Sequence, residues 1–464
     1  MMPHTSPRRV NRRVFLARST LAYVSTSVAY TCWAAGGNHV NANDKNDRPK
    51  VALIGAGWQP DKRRRGRGLE IGKQATAHAD LVAICEVDSV AAKFAHQTLT
   101  QGRCELLSDY RQIIDRDDID AVLIATPDHW HAKIAIEAMR SGKDVYCEKP
   151  ASLTIDEGIQ MRAAVKETGR VMQIGTQQRS EYNSRFLTAI AMVRDGRLGK
   201  LQRIRIGLGP GWRGGPFQAS SPPPTLDWNQ WLGPAPMADY RPERTHRTFR
   251  WWYEYAGGQL ADWGAHHVDI AQWAIGHDNH GPISVTATGD LNQPLNNGMP
   301  TRADMYNTPV GFSVRCVFPA NPNVVASDGD TIEMLIDDGR NGIIFEGDRG
   351  RFFVNRATLE GTLVDELAEQ PLPADAIEKL TGSSDRVSHM QNFFDCMRSR
   401  QTPIAPIESH HRTISTCHLA NLSVRLGREL KWDAKNEQFI GDEMANSMLS
   451  RHSRSGFEIE GNHS

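Results

Sequence analysis

The chain has 464 residues, of which 39% are hydrophobic and 23% are charged, and its 54 basic side chains balance its 54 acidic ones. This composition is ordinary for a globular protein of about two to three domains. The balanced charge gives no reason to expect a nucleic acid or an anionic membrane as partner, and no apolar run beyond the N-terminal region is long enough to span a bilayer.

The N-terminus has the layout of a secretory signal. A basic stretch that ends at Arg18 is followed by a moderately apolar run and then by small residues. Arg12 and Arg13, which precede Val-Phe-Leu, resemble a twin-arginine signal that exports folded proteins; a disordered basic tail is the alternative. We therefore expect residues 1–36 to be a signal peptide and residues 37–49 a linker, with a periplasmic or otherwise exported mature protein.

From Lys50 onward, short apolar runs alternate with amphipathic stretches. Runs such as Lys50–Gly55 and Ala121–Ala125 are typical of buried strands, and the stretches between such runs predict helices. This alternation predicts parallel βαβ units with right-handed crossovers. Residues 50–174 are thus expected to form a nucleotide-binding domain of the Rossmann type, with a doubly wound parallel sheet.

A glycine turn follows the first predicted strand directly. At Gly55, Ala56 and Gly57 the backbone N–H groups can approach a pyrophosphate at the start of a helix. The third glycine of the usual GxGxxG pattern is missing, because Pro60 stands at its place. We expect the three turn residues and Trp58 to contact a dinucleotide.

An insertion over residues 58–65, with three consecutive arginines, separates this turn from Gly66 and Gly68. The later glycines are expected to restore the close approach of the helix. Glu86 ends the second predicted strand, where a carboxylate can bind the adenosine ribose and repel a 2′-phosphate, which favours NAD over NADP. Asp88 competes for that role, and the arginines leave NADP as the alternative.

Two further segments carry side chains suited to catalysis. The first reads Thr-Pro-Asp-His-Trp-His from Thr126 to His131 and continues at Glu148-Lys149-Pro150. Lys149 is predicted at the carboxyl end of a parallel strand, where such sheets bind ligands. Partial desolvation there can lower the pKa of a lysine enough for proton transfer, although a single lysine at a strand end is usually a surface cation.

The second segment reads Asp-Trp-Gly-Ala-His-His-Val-Asp from Asp262 to Asp269. Asp262 and His266 are four residues apart, so on one helix they would share a face, and Asp269 would follow one turn later. A carboxylate paired with a histidine can fix its tautomer and raise its basicity. His267 is rotated away from that face.

These motifs together resemble the glucose–fructose oxidoreductase, inositol dehydrogenase and rhizopine catabolism family over about residues 50–430. The resemblance implies a cis peptide bond before Pro150, and it matches Lys149, Asp262 and His266 to the family's catalytic lysine, aspartate and histidine. In that scheme His266 takes the alcohol proton as hydride leaves carbon. Lys149 polarises the substrate or relays the proton, and Asp262 positions the substrate and tunes His266.

The resemblance also implies contacts around the nicotinamide and the substrate. Thr126, Pro127 and His131 match a turn near the nicotinamide, Glu148 and Lys149 are expected to contact the cofactor, and Asp128 stands where an asparagine is common. The residues expected to contact the substrate are Arg179, Trp252, Trp263 and His267.

Residues 175–435 are predicted to form an α+β domain with a large, mostly antiparallel open sheet, and residues 436–464 a polar tail. The other face of this sheet would carry the contact of a homo-oligomer. The expected ligands are NAD and a sugar or polyol, with no metal, no nucleic acid and no membrane span after processing.

Three functions remain open at this stage. The first is a dehydrogenase that acts on a sugar, inositol or related polyol. The second is a redox-assisted glycoside hydrolase or lyase with a retained NAD cofactor. The third is a metal-dependent hydrolase, disfavoured because its ligands would come from distant segments; they would be His129, His131, His266, His267 and Asp269.

Overall fold

The computed structural model describes residues 48–59 and 64–459, with only the backbone described at residues 58, 59, 64 and 65. The expected signal peptide, residues 1–36, and the linker as far as residue 47 lie outside the described residues. Export therefore stays a prediction.

The first half of the chain alternates strands and helices, as predicted. Its strands are β1 (Lys50–Ile54), β2 (Trp58–Gln59), β3 (Arg64–Arg65), β4 (Asp80–Cys85), β5 (Glu105–Leu107), β6 (Ala121–Ile124), β7 (Asp144–Cys147) and β8 (Met172–Ile174). Its helices are α1 (Arg67–Ala75), α2 (Ser89–Thr100), α3 (Arg111–Ile114), α4 (Asp128–Arg140) and α5 (Ile155–Thr168).

Six of these strands form one parallel sheet in the order β5-β4-β1-β6-β7-β8. The predicted Rossmann-type sheet is confirmed. The strand order reverses between β4 and β6, on either side of β1, and open α/β sheets bind their ligands at such a point. The insertion after the glycine turn forms a short antiparallel hairpin of β2 and β3.

Local sequence accounts for these elements. In β1 the four residues after Lys50 are buried, as expected of a central parallel strand with helices on both faces. Helix α5 begins with a capping box, in which Thr154 and Glu157 each accept a backbone N–H from the other. It ends at Gly169, whose φ of +64° suits a left-handed helix cap.

The second half is α+β. Its strands are β9 (Leu201–Gly207), β10 (Ser284–Leu291), β11 (Leu295–Asn296), β12 (Met299–Pro300), β13 (Pro309–Pro319), β14 (Thr331–Asp337), β15 (Gly342–Gly347), β16 (Gly350–Val354), β17 (Leu359–Glu360), β18 (Leu430–Asp433) and β19 (Gln438–Phe439). Its helices are α6 (Arg185–Arg194), α7 (Trp228–Leu232), α8 (Gly258–Asp262), α9 (Gly264–Ala274), α10 (Thr362–Asp365), α11 (Ala376–Thr381), α12 (His389–Ser399), α13 (Ile407–Leu426) and α14 (Glu443–Asn446).

Nine of these strands form a second sheet in the order β17-β16-β15-β9-β14-β13-β10-β18-β19. The sheet is mixed but mostly antiparallel, with β9 and β14 running parallel, so the predicted sheet is confirmed. The sequence analysis missed β9, which lies near its centre. Helices α9 and α13 pack against the sheet, and the homo-oligomer expected on its other face stays a prediction.

Residues 436–459, the described part of the predicted polar tail, include β19 and α14 and pack against the rest of the chain. After β19 and α14 the chain returns to the first half, where the ring of Phe457 packs edge-on against Trp130 at 5.6 Å between centroids. Arg454 Nε donates to the carbonyl of Gly233 at 2.8 Å. Among the described residues, no helix is both long and apolar enough to cross a membrane.

Candidate active site

One large cavity lies where the two halves of the chain meet. Its volume of about 680 Å³ suits a small-molecule or cofactor site, which typically measures about 300–1,000 Å³. The carboxyl ends of β1, β4, β6 and β7 form one side, and α8, α9 and a 3-10 segment at His246–Trp251 form the other. The cavity therefore occupies the switch point of the parallel sheet.

The glycine turn is built for close approach. Gly55 and Gly57 have φ values of +83° and +68°, which favour glycine. A Cβ added to Gly68 would lie 2.0 Å from the carbonyl oxygen of Gly55, and one on Gly66 would lie 2.5 Å from that of Ala56. The later glycines therefore let α1 approach the turn, as the sequence analysis expected.

Glu86 has a role that the sequence did not show. Its Oε2 accepts hydrogen bonds from the backbone N–H groups of Ala56 and Gly57, at 2.9 Å each. Its Oε1 accepts from the N–H of Asp88 at 3.1 Å. Glu86 thus closes the turn while it lines the cavity, and two N–H groups that we expected to face a pyrophosphate are already bonded. Burial raises the pKa of Glu86 in spite of these hydrogen bonds.

Arg67, the first residue of α1, adds a cation beside this turn. Its Nε donates to Oε1 of Glu148 at 2.8 Å, and Gln177 donates to the same oxygen at 3.1 Å. Glu148 is 4% exposed, and both charged residues line the cavity. The predicted cofactor residue Glu148 is therefore placed at the site, held by Arg67, which the sequence analysis did not single out.

Lys149 and Asp262 meet across the cavity. Lys149 Nζ lies 2.5 Å from Asp262 Oδ1 and 2.9 Å from the carbonyl oxygen of Asp262. Arg250 Nε lies 3.4 Å from Oδ2 of the same carboxylate. Burial opposes the charge of Asp262, but Arg250 and Lys149 outweigh it and hold the pKa of Asp262 below its usual range.

His266 lines the same cavity and is 5% exposed. Its Nδ1 is buried, with no hydrogen-bond partner among the described residues. Burial, reinforced by the charges of Lys149 and Arg356, lowers the pKa of His266 well below its ordinary value. The ring is therefore neutral near pH 7, the state in which a histidine can accept a proton.

The predicted pairing of Asp262 with His266 is wrong. Helix α8 ends at Asp262 and α9 begins at Gly264; among the described residues no hydrogen bond joins Asp262 to His266, whose Nδ1 has no partner. The carboxylate binds Lys149 and Arg250 instead.

Asp128 brings a second carboxyl group to the cavity. It lies at the start of α4, is 7% exposed and lines the cavity. Burial and the charge of Asp262 raise the pKa of Asp128 to about 7, against the opposing charges of Lys149 and Arg250. Near neutral pH this carboxyl can therefore hold or release a proton.

His131 holds the backbone of the site. Its Nδ1 lies 2.7 Å from the carbonyl oxygen of Pro150 and its Nε2 2.8 Å from that of Thr126. The Lys149–Pro150 peptide bond is cis, as the resemblance implied. Thr126, Pro127 and His131 all line the cavity, but both ring nitrogens of His131 already face backbone carbonyls, so this residue positions the two segments.

Arg179 does not line the cavity, contrary to its predicted contact with substrate. It is 3% exposed, and its Nε and Nη2 bind the two carboxylate oxygens of Asp269 at 2.7 and 2.8 Å. Nη2 also donates to Asp278 at 3.0 Å. A buried bidentate ion pair of this kind is a structural element of the domain junction.

Two other predicted substrate residues are buried in the core. Trp252 is 0% exposed and donates through Nε1 to the carbonyl of Glu243. His267 is 0% exposed and its Nε2 lies 3.1 Å from Asn341 Oδ1. Trp263, by contrast, lines the cavity. The side chain of Trp58, which was predicted to contact the cofactor, lies outside the described residues.

The sequence analysis missed several residues that line the cavity. Arg250, Arg356 and Tyr182 do so from the second half of the chain. Tyr182 and His246 have φ values of +63° and +52°, which are uncommon for residues other than glycine and concentrate at functional sites. Arg250 lies two residues before Trp252, which the sequence analysis named, but nothing in the sequence marks Arg356.

Four of the five side chains proposed as metal ligands, all except His266, have other partners. His129 Nε2 faces the carbonyl of Trp231 at 3.0 Å, His131 holds two backbone carbonyls, and Asp269 binds Arg179. Within residues 48–59 and 64–459 no group of three or more metal-ligating side chains is arranged to hold an ion. This geometry gives no support to a metal-dependent hydrolase.

Two family models match most of the chain. The one described as "Oxidoreductase family, NAD-binding Rossmann fold" matches residues 49–176. The one described as "Oxidoreductase family, C-terminal alpha/beta domain" matches residues 211–306 and 307–459. Both belong to the group named after glucose–fructose oxidoreductase, inositol dehydrogenase and rhizopine catabolism.

The relatives carry two kinds of name. A glycosyl hydrolase family 109 protein from Shewanella putrefaciens is 29% identical over 208 residues, which is 41% of this chain and 44% of that protein. A levoglucosan dehydrogenase from Pseudarthrobacter phenanthrenivorans is 31% identical over 196 residues, which is 41% and 42% of the two chains. The matched region spans less than half the length of each relative.

Solved structures share the fold at low sequence identity. The WlbA dehydrogenase from Chromobacterium violaceum, in complex with NADH and UDP-GlcNAcA, has a TM-score of 0.56 at 17% identity, covering 83% of this chain and 96% of its own. A levoglucosan dehydrogenase in complex with NADH and L-sorbose has a TM-score of 0.55 at 20% identity, covering 82% and 98%.

Proposed function

Since the chain belongs to the glucose–fructose oxidoreductase, inositol dehydrogenase and rhizopine catabolism family of NAD-binding oxidoreductases, we propose that it transfers hydride to or from a hydroxyl-bearing carbon of a sugar or polyol. The observation that carries this proposal is the junction of Lys149, Asp262 and His266 in one cavity that continues to the glycine turn. The named substrates of its relatives support a carbohydrate substrate.

The residues present fit a nicotinamide dinucleotide. The glycine turn leaves no room for a Cβ at Gly55 or Gly68, and the N-terminus of α1 beside it favours negative charge. Arg67 and the Glu86 carboxylate line the same end of the cavity. When bound, the nicotinamide supplies the hydride acceptor or donor, and the chain's own residues handle the proton.

His266 is the proposed proton acceptor for the substrate hydroxyl, because it is neutral and lies within the cavity. Lys149 donates a hydrogen bond toward the reacting oxygen. The side-chain carboxylate and the backbone carbonyl of Asp262 hold the lysine ammonium in place. Arg250 shares the Asp262 carboxylate and so helps to keep it ionised.

NAD is the proposed cofactor in preference to NADP. Glu86 lines the cavity beside the glycine turn and contributes a carboxylate there, where a 2′-phosphate would meet like charge. The alternative is NADP, whose 2′-phosphate the arginines of the insertion would bind. The tip of that insertion lies outside the described residues.

A redox-assisted glycoside hydrolase is the second candidate. Several relatives are named as family 109 glycosyl hydrolases, and Asp128 is a carboxyl with a pKa of about 7 on the cavity wall. Such a group could protonate the oxygen of a leaving sugar between the two hydride transfers. Hydride would then return to the product, so the cofactor would be regenerated within each cycle.

Export of the chain would favour this closed cycle. We propose that the signal at residues 1–36 exports the folded protein with its nucleotide, because free nicotinamide dinucleotide is not expected outside the cytoplasm. Retention for about an hour needs an off-rate below about 10⁻³ per second and hence a nanomolar or tighter dissociation constant. Exported protein that is apo after dialysis, with activity restored only by micromolar NAD, would contradict retention.

The decisive assay pairs two readouts on the same sample. Purified protein is incubated with NAD and either a free sugar or an aryl glycoside, and both nicotinamide reduction and released aglycone are measured. A dehydrogenase gives net NADH that grows with turnover, whereas a closed cycle releases aglycone without net NADH. The absence of nicotinamide dinucleotide binding would overturn both candidates.

A further inference from the structure

Arg356 is held at the substrate side of the cavity by its surroundings. It lies in the turn between β16 and β17, which Asn355 closes by accepting the N–H groups of Ala357 and Thr358 at 2.8 Å each. The guanidinium carbon lies 4.8 Å from the ring centroid of Tyr182 and 4.7 Å from that of Trp263. Two aromatic rings thus fix a cation on the cavity wall.

Arg356 has no direct ion-pair partner within the described part of the chain. Glu148 forms an ion pair with Arg67, and the carboxylate of Asp262 forms ion pairs with Lys149 and Arg250. No carboxylate among the described residues lies within ion-pair distance of Arg356, and its Nε is buried without a hydrogen-bond partner there. Arg356 is half-buried, and a cation that loses part of its hydration without an ion-pair partner costs free energy, so a bound ligand is the expected source of a negative charge there.

The position of Arg356 distinguishes between the two anions that could enter the cavity. A dinucleotide brings its pyrophosphate to the glycine turn, at the start of α1. Arg356 instead covers Trp263, whose ring packs against that of His266 at 5.8 Å between centroids. It therefore lies beside the residues proposed to act on the substrate, and a planar guanidinium matches a carboxylate in geometry as well as charge.

We propose that the substrate is an acidic sugar, a hexuronate or a glycoside of one, and that Arg356 binds its carboxylate. This inference rests on the proposed function, because it names the substrate class of that same site. It assigns the specificity to one residue of the second domain and leaves the proton-handling residues as described.

The bound substrate carboxylate would also change the pKa of His266, the proposed proton acceptor. The charge of Arg356 is among the causes that lower the pKa of His266, after burial and the charge of Lys149. A carboxylate bound to Arg356 offsets that charge, so His266 would become a better base when the correct substrate is present. Recognition and activation would then depend on the same contact.

The test measures binding to the full chain saturated with NADH. D-glucuronate and D-galacturonate are titrated against their methyl esters, which keep the shape and lose the charge, with heat or tryptophan fluorescence as readout. We expect each acid that binds to do so at least about tenfold more tightly than its ester, as for other charge-assisted hydrogen bonds. Arg356→Gln should reduce that ratio to near one, and Arg356→Lys should keep part of it.

Arg351→Gln is the matched control, because Arg351 lies nearby in β16 with a side chain that is 74% exposed, and it should leave the ratio unchanged. Equal binding of acid and ester, no binding of either acid, or a preference that survives Arg356→Gln would overturn the inference. So would a weaker NADH affinity as the main effect of that variant. If NADH fails to bind the wild type, the proposed function itself fails; if NADH binds and neutral sugars bind better than acids, only this inference fails.

Discussion

The ammonium of Lys149 lies 2.5 Å from Oδ1 of Asp262. Lys149 follows the last residues of β7 in the first half of the chain, and Asp262 ends α8 in the second half. The contact therefore joins the two halves at the cavity. It also fixes the lysine proton near the position proposed for the reacting oxygen.

Lys149→Met and His266→Ala should each reduce kcat/KM by about 100-fold or more, the usual effect of losing an acid–base group. Neither side chain touches the glycine turn in the structure, so NADH affinity should change little in the His266 variant. Steady-state kinetics and NADH fluorescence check this, with Lys166→Met on the exposed face of α5 as control. Wild-type turnover in either variant would contradict the assignment.

The Asp128 carboxyl should make stability depend on pH. Burial raises the pKa of Asp128 to about 7 from an ordinary value near 3.8. Between these values the folded chain holds a proton that the unfolded chain lacks, so this group's contribution to stability falls as pH rises from about 4 to about 7.

Asp128→Asn removes that titration. Its Tm relative to the wild type should therefore be higher at pH 8 than at pH 5, by about 2 °C or more. Thermal unfolding of both proteins at the two pH values measures the difference. An offset that is the same at both values would show that Asp128 ionises normally.

Local patterns were enough to predict the parallel sheet and the residues that follow its strands. Buried parallel strands are continuous apolar runs, so β1, β6 and β7 could be predicted directly, and the carboxyl ends of β6 and β7 placed Thr126 and Lys149 at the cavity. The most informative errors concern which side chains bind each other. The spacing of Asp262 and His266 suggested that they pair on one helix face, but the tertiary structure brings Lys149, over a hundred residues away, to the Asp262 carboxylate instead.

Partners brought by tertiary structure explain the other errors. Arg179 has the residue type of a substrate contact, yet Asp269 from α9 and Asp278 bind it inside the protein. Arg356 lies in a turn with no recognisable motif, and its importance depends on two rings contributed by other elements. Neither relationship is encoded in local spacing.

The two acidic residues of the second motif should separate stability from activity. Asp269→Asn removes the bidentate carboxylate from the buried Arg179 and leaves Asp278 as its ion-pair partner, so it should cost up to about 3–5 kcal/mol, the usual cost of losing a buried ion-pair partner. Asp262→Asn instead releases Lys149 in the cavity and should reduce turnover. Denaturant unfolding and kinetics on both variants check the contrast. A reversal of the two effects would contradict the roles described.

Glu86→Gln should increase the preference for NADP relative to NAD by about tenfold or more, because it removes a negative charge beside the ribose. Glutamine keeps an oxygen that can accept the N–H groups of Ala56 and Gly57, so the turn itself should survive. Glu86→Ser loses that acceptor as well and should weaken both cofactors. Titration with NADH and NADPH distinguishes these effects, and a wild type that prefers NADPH would contradict the assignment.

The most direct test of the account follows hydride into the nucleotide. The purified full chain is incubated with NAD and with C-perdeuterated sugars, both neutral and acidic, and the nucleotide released on denaturation is examined by mass spectrometry. We expect the wild type to yield NADH that carries one deuterium, and His266→Ala to yield far less. Failure of the wild type to bind NAD, or sugar conversion without deuterium in the nucleotide, would contradict it.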